Sequence, residues 1–200
     1  MDNYVEELYL KYDFALQTLL TELNLLLKKY EFSNTINPVE HIKSRIKTKE
    51  SALEKLTRKG YQSDIENMLL HVHDMVGVRL VCSFKSDVYE IVNLIKSSKL
   101  LTVKKEQDFI KNPKESGYSS FHLNVMVPIY LHDKLEYIEA EIQIRTVAMD
   151  FWASLEHKIR YKFDKEIPEE VSNELLQCSK EVKRLDDKMY VLNEIVQKYK

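Results

Sequence analysis

Glycine is scarce in this 200-residue chain: there are three, Gly60, Gly77 and Gly117. A G-x-x-x-x-G-K-[ST] phosphate loop or a G-x-G-x-x-G dinucleotide turn needs closely spaced glycines whose bare backbone cradles phosphate. No two glycines here lie close enough, which excludes nucleotide binding of either glycine-loop kind. Any phosphate must be held by side chains. Lys plus Arg is 30 against 32 Asp plus Glu, a formal net charge of −2, so a uniformly basic nucleic-acid coat is excluded as well. Hydrophobic residues make up 44 % of the chain, enough for a real core.

The length suits one domain with helical ends. No apolar run approaches the ~20 residues of a membrane span. Asp2, Glu6 and Glu7 stand where an export signal would be positive. Cys82 falls in an apolar strand pattern and Cys178 on an apolar helix stripe. Both read as buried free thiols, and a reducing cytoplasm is the expected compartment.

The chain opens and closes on long amphipathic helices. Val5, Leu8, Tyr12, Ala15, Leu19, Leu23, Leu26 and Tyr30 fall at helical spacing; Val171, Leu175, Cys178, Val182, Leu185, Met189, Leu192 and Val196 alternate steps of four and three, a heptad seam. These helices can pack within the chain or on a second copy. Asn37-Pro38-Val39-Glu40 reads as a capped helix start, and Gly60 as its end, which predicts a helix over 37–59. Ser63-Asp64 caps a shorter helix. Val76–Phe84 alternates as a strand, Ser86–Ser98 reads as a helix, and Leu101–Phe109 as a strand. Residues 110–120 form a polar loop. Leu123–Leu131 and Glu136–Thr146 make a hairpin around His132-Asp133-Lys134, and Val147–Phe163 a helix. The expected fold is α/β (α+β), a mixed sheet flanked by helices. The expected division is residues 1–36, 37–163 and 164–200.

Residues 41–60 hold seven Lys/Arg against two Asp/Glu. On the expected helix Lys47, Ser51, Lys55 and Arg58 share one face. Such a stripe suits a triphosphate; a solvated basic face explains it equally well. Along 136–146, Tyr137, Glu139, Glu141, Gln143 and Arg145 face one way and Ile138, Ala140, Ile142 and Ile144 the other. The apolar helix that follows turns the polar face into a candidate cleft. Asp74, just before the strand that holds Arg79, supplies a second carboxylate. Two carboxylates beside a cationic stripe suit Mg²⁺ with nucleotide phosphates. The loop 112–122 mixes Lys114, Tyr118 and His122 with hydroxyls, a composition that can stack a base, although an ordinary surface loop shares it.

Taken in order, Arg45-x-Lys47-x-x-x-Ser51, His73-Asp74-Met75-Val76-Gly77-Val78-Arg79, Lys114-Glu115-Ser116-Gly117-Tyr118 to His122, Glu141-Ile142-Gln143-Ile144-Arg145-Thr146 and Met149-Asp150-Phe151-Trp152-Ala153-Ser154-Leu155-Glu156-His157 resemble the RelA/SpoT synthetase domain, in particular the small alarmone synthetases. The resemblance implies a nucleotidyltransferase-like fold and a GTP diphosphokinase, which transfers the β,γ-pyrophosphate of ATP to the 3′-hydroxyl of GDP or GTP. The products would be ppGpp or pppGpp and AMP. By the same resemblance Arg45 and Arg79 sandwich the adenine, and Lys47, Ser51, Lys55 and Arg58 take the ATP phosphates. Asp74 and Glu141 hold Mg²⁺, and Glu141 serves as general base. Tyr118 stacks the guanine, Lys114, His122 and Gln143 surround the acceptor nucleotide, and Asp150 reads the guanine edge. Ser119 stands where the family loop commonly has arginine, and Val76 where alanine is common. Small members can be tetramers, so a homo-oligomer is expected. The flanking 1–36 and 164–200 are too short for hydrolase or regulatory domains, which implies synthesis without hydrolysis.

Two other readings use some of the same residues. A non-catalytic single-stranded RNA binder would use the cations, Tyr118 and Arg79, but gives no purpose to Asp74 and Glu141. A nucleotidyltransferase of the same fold would release pyrophosphate rather than AMP.

Overall fold

A computed structural model describes residues 2–34, 36–160, 162–163 and 167–199. Among them are α1 (Asp2–Asn34), β1 (Val39–Ile46), α2 (Lys49–Arg58), α3 (Ile65–His71), β2 (Val76–Cys82), α4 (Lys85–Lys96), β3 (Thr102–Asp108), β4 (Phe121–Leu131), β5 (Lys134–Thr146), α5 (Val147–Arg160) and α6 (Glu169–Gln197). The expected division at 163–164 falls against residues 164–166, outside the described residues. The strands form one mixed sheet in the order β1-β2-β5-β4-β3, with β2 and β5 parallel and the other neighbours antiparallel.

Period-2 alternation gives the sheet two faces. Val76, Val78, Leu80 and Cys82 of β2, Leu123, Val125 and Val127 of β4, and Ala140, Ile142 and Ile144 of β5 are buried together. The amphipathic helix α1 covers them with Leu8, Tyr12, Ala15, Leu16, Leu19, Leu23 and Leu27, and α4 adds Val88, Ile91, Val92 and Ile95. Each fully buried leucine contributes roughly 1.5–3 kcal/mol. The β4–β5 hairpin turns at His132 and Asp133, both with positive φ (48° and 60°), as a two-residue turn matched to strand twist requires.

The helix expected over 37–59 is instead β1 followed by α2. Asn37 Oδ1 accepts from the Val39 amide at 3.0 Å and starts a strand, not a helix. A register shift between Val39 and His41 breaks the ladder with β2. It explains the misleading pattern: a bulge spaces Val39 and Ile42 by three, and exposed Ser44 leaves Ile46 as the next apolar residue, four further on. Steps of three and four imitate a helix. The true N-cap is Thr48, whose side chain accepts from the Ser51 amide, and α2 runs from there.

Helix α6 packs on α5 and α4. Trp152 Nε1 donates to the Leu175 carbonyl at 3.0 Å, and Val171 and Val182 pack beside them. Of the heptad seam only Leu175 is fully buried. Leu185, Met189, Leu192 and Val196 remain about half exposed. Cys178 is exposed, contrary to expectation, because the Trp152 cluster covers only part of the stripe that it shares with Val171, Leu175 and Val182; Cys82 is buried, and burial pushes its thiol up.

A second anchor is Thr146, which donates to buried Asp186 of α6 at 3.0 Å. Burial raises the Asp186 carboxyl, and the Thr146 bond and the charge of Lys85 only partly oppose it. A raised carboxyl means that ionisation costs folding free energy above the carboxylate range. Asp186→Asn keeps an acceptor for Thr146 and removes the charge. It is therefore expected to raise the thermal midpoint at pH 7, with the difference from wild type shrinking as pH falls toward 4; calorimetric scans across that range check it.

Candidate active site

The polar face of the sheet carries two rows of side chains, fixed by register. Arg45, Gly77, Glu141, Asn124 and Lys105 lie opposite one another across β1, β2, β5, β4 and β3. Lys43, Arg79, Gln143, His122 and Gln107 form the adjacent row. Residues directly opposite share a face. The strand conformation thus places Arg45 beside Arg79, a juxtaposition that a helix over 37–59 would not give. Arg45 packs over Gly77, its Cγ 3.8 Å from where a Cβ on Gly77 would sit, an ordinary contact distance.

Lys43, Arg45, Asp74, Gly77, Arg79, Glu141 and Gln143 line a cleft of about 180 Å³. A neighbouring cleft of about 330 Å³ is lined by Lys55, His73, Asp74, Lys104, Lys105, Asn124 and Glu141, among others. Asp74 and Glu141 border both. Lys47 Nζ lies 3.1 Å from Asp74 Oδ2 and Lys55 Nζ 2.8 Å from Oδ1. Burial pushes the Asp74 carboxyl up, but the bonds and charges of the two lysines outweigh it and hold the group below its ordinary value. Lys47 precedes α2 rather than sharing its stripe; its amide donates to Met75 O at 2.8 Å, which seats it at Asp74. Ser51 and Arg58 are exposed on α2.

Glu141 is the end point of a chain of donors. Arg145 Nη2 donates to the Tyr118 hydroxyl at 2.6 Å and to Gln143 Oε1 at 2.9 Å. Gln143 Nε2 donates to Glu141 Oε2 at 2.6 Å. The Tyr118 hydroxyl meets His122 Nε2 at 2.8 Å, and His122 Nδ1 lies 3.3 Å from Glu141 Oε1. With the tyrosine donating to Nε2, the proton of a neutral His122 sits on Nδ1 and points at the carboxylate. Burial raises the Glu141 carboxyl, and His122 and Gln143 outweigh that and leave it lowered.

Asp150 is 7 % exposed and engages two arginines through one carboxylate oxygen. Its Oδ1 accepts from Arg79 Nη1 at 3.0 Å and Arg145 Nη1 at 3.2 Å. It thus orients both guanidiniums. The Nε atoms of Arg79 and Arg145 are buried without a hydrogen-bond partner among the described residues. Lys114 Nζ sits 4.8 Å from the Tyr118 ring centre and the Arg145 guanidinium carbon 5.0 Å from it. Tyr118 is therefore already flanked by cations. Arg145 and the Glu139 group, which takes Asn124 at 3.0 Å and His73 at 3.1 Å, received no role from sequence reasoning. Their place on the polar face of β5 was the available signal.

The two carboxylates suit a hard cation. They are close enough that the charge of Asp74 opposes ionisation of Glu141, and both are oxygen donors at the border of cation-lined clefts. No group of three or more His, Cys, Asp or Glu side chains able to hold a metal occurs among the described residues. Mg²⁺ does not need one, since phosphate oxygens and water complete its shell.

Comparison with known proteins agrees with this geometry. The family described as "Region found in RelA / SpoT proteins" matches residues 44–166. GTP pyrophosphokinase YwaC of Bacillus subtilis (strain 168) is 45 % identical over 189 residues, covering 94 % of this chain and 90 % of that protein. The crystal structure of small alarmone synthetase 1 from Bacillus subtilis bound to its product pppGpp superposes with a TM-score of 0.88 at 34 % identity, covering 97 % of this chain and 98 % of the other. Small alarmone synthetase 2 from the same organism gives 0.84 at 44 % identity, with 96 % and 98 % coverage. The chain belongs to the RelA/SpoT family. Among the described residues no helix is long and apolar enough to cross a membrane.

The donor chain into Glu141 has a measurable consequence. His122→Leu removes the group that most strongly holds the carboxylate ionised, and burial then dominates. The Glu141 titration midpoint, followed by carbon NMR, is expected to move above its wild-type value; an unmoved midpoint would refute the assigned chain.

Proposed function

We propose that this protein is a GTP diphosphokinase that transfers the β,γ-pyrophosphate of ATP to the 3′-hydroxyl of GDP or GTP, forming ppGpp or pppGpp and AMP. The observation that carries the reading is the pair Asp74 and Glu141, bordered on one side by Arg45 and Arg79 and reached from the other by Lys47 and Lys55. In this reading the adenine lies between the Arg45 and Arg79 guanidiniums, and Asp150 fixes the orientation of the latter. Lys47 and Lys55 exchange Asp74 for the ATP phosphates, and Ser51 and Arg58 on α2 extend that cationic surface. The acceptor guanine stacks on Tyr118, with Lys114, His122 and Gln143 around the nucleotide. Asp150 reads the guanine edge in this account, and through Arg145 it also steadies Tyr118. The family match supports taking residues 37–163 as the catalytic unit.

The acceptor 3′-oxygen attacks the β-phosphorus while the bond from that phosphorus to the α,β-bridging oxygen breaks, and AMP departs. Glu141 accepts the 3′-proton. Gln143 and His122 aim its oxygens and keep it ionised before reaction. Asp74 and Glu141 would hold Mg²⁺, which supplies neutralisation of charge on the transferred group. Holding both nucleotides along one sheet face contributes through proximity. An RNA-binding role is disfavoured because two carboxylates at the centre of the cations repel phosphodiesters unless a metal intervenes.

Product chromatography with ATP, GDP or GTP and Mg²⁺ is expected to show AMP and a 3′-pyrophosphorylated guanosine nucleotide; pyrophosphate as the leaving product would overturn the assignment. Glu141→Gln is expected to lower turnover by ~10²–10⁴-fold while ATP binding partly survives. Turnover close to wild type would exclude Glu141 as the base.

A homo-oligomer belongs to the same proposal. Leu185, Met189, Leu192 and Val196 form a continuous, half-exposed apolar stripe on α6, suited to a second copy of this chain. Leu192→Lys is expected to lower the mass measured by light scattering; a variant of unchanged mass would place any interface elsewhere.

A further inference from the structure

The acceptor loop is gripped from two sides. On the sheet side, the Tyr118 hydroxyl is tied to Arg145 and His122. On the other side, the loop backbone meets α6. Residues 114–118 form a tight turn in which the Gly117 amide donates to Lys114 O at 2.8 Å and the Lys114 amide to Tyr118 O at 3.1 Å. Gly117 takes a φ of +87°. A Cβ there would stand 2.1 Å from Ser179 Oγ, 2.6 Å from Ser179 Cβ and 3.4 Å from Leu176 Cδ1. The glycine is thus required twice, by its backbone conformation and by its contact with Ser179.

Ser179 is itself fixed, since its hydroxyl donates to Leu176 O at 2.8 Å. Helix α6 is fixed in turn by Trp152 to Leu175 and by Thr146 to Asp186. Between the loop and α6 lies a cavity of about 240 Å³, lined by Pro113, Lys114, Gly117, Ser119, Trp152 and Leu176, among others. A larger side chain at Ser179 therefore pushes on Gly117 next to open space, and the loop has room to shift. Ser119 lines this cavity too.

We infer that Ser179 is a positioning residue for the acceptor nucleotide: its small side chain sets how closely the turn 114–118 rests on α6, and hence where Tyr118 and Lys114 stand relative to Glu141. This rests on the reading of residues 114–122 as the acceptor loop. Ser179 does not line the cleft that holds Arg45, Arg79 and Asp74, and it reaches Arg79 only at several removes, through Tyr118, Arg145 and Asp150, so ATP binding responds to it far less than acceptor binding does.

The test compares steady-state KM for GDP and calorimetric affinity for a non-hydrolysable ATP analogue in the full-length chain. Ser179→Leu is expected to raise the GDP KM on the order of 10-fold or more, since small misplacements of a positioned group are costly, while ATP affinity stays within about 2-fold. Tyr118→Ala serves as the control for the loop itself. A raised KM in Tyr118→Ala with an unmoved KM in Ser179→Leu overturns the role of Ser179 alone; unmoved values in both overturn the acceptor-loop reading. Parallel loss of ATP affinity in Ser179→Leu marks general damage and also refutes the proposal. A second pair holds should Ser179→Leu fail to fold. Gly117→Ala is expected to raise the GDP KM, and adding Ser179→Gly to recover part of it by removing the clash but not the φ strain. Absence of any recovery refutes the contact.

Discussion

The parallel pairing of β2 with β5 is the constraint on which the site depends. It sets Gly77 opposite Glu141 and Arg79 opposite Gln143. Those two pairs are the centre of both polar rows, and a slip of one residue would turn every one of these side chains into the core. The pairing is held by what lies on the opposite face. Val76, Val78 and Leu80 pack with Ala140, Ile142 and Ile144 beneath α1 and α4. The apolar core thus fixes the register, and the register brings two carboxylates, two guanidiniums and a glutamine together on the other face.

Electrostatics then decides what the site can bind. Before any nucleotide arrives, every carboxylate has a cation or a hydrogen-bond donor: Asp74 has Lys47 and Lys55, Glu141 has His122 and Gln143, and Asp150 has Arg79 and Arg145. These partners hold the Asp74 and Glu141 carboxyls below their ordinary values and keep the cations aimed. Polyphosphate with a divalent cation can exchange with this arrangement charge for charge, the phosphates taking the lysines and the metal the carboxylates. Desolvation makes such exchange favourable only if partners are replaced in kind. Without a metal, Asp74 and Glu141 would repel the nucleotide that the arginines attract.

Much of this was legible in the residues. Strict alternation exposed β2, β5 and the two faces of β5, and hence the grouping of Glu141, Gln143 and Arg145. The ordered motifs from Arg45 to His157 identified the family. The first basic segment misled because Asn37-Pro38-Val39-Glu40 matches a helix start and because a bulge and the exposed Ser44 made β1 imitate a helical period; only the pairing partner, β2, reveals it. Asp150 reads in sequence as a free carboxylate, and its engagement by two arginines depends on the approach of α5 to β5, which no local pattern encodes. Periodicity marked α6 as a helix but not which positions of its seam are covered. The contact of Gly117 with Ser179, across 62 positions, was equally invisible.

The central claim is that Asp74 surrenders its two lysines to phosphate and, with Glu141, holds the cation in their place. A crystal structure of the protein with Mg²⁺ and a non-hydrolysable ATP analogue tests it directly. The account predicts the adenine between Arg45 and Arg79, Lys47 and Lys55 turned from Asp74 onto the phosphates, and the metal bound by Asp74 and Glu141. Nucleotide seated elsewhere, or a metal away from both carboxylates with Lys47 and Lys55 still on Asp74, would contradict it.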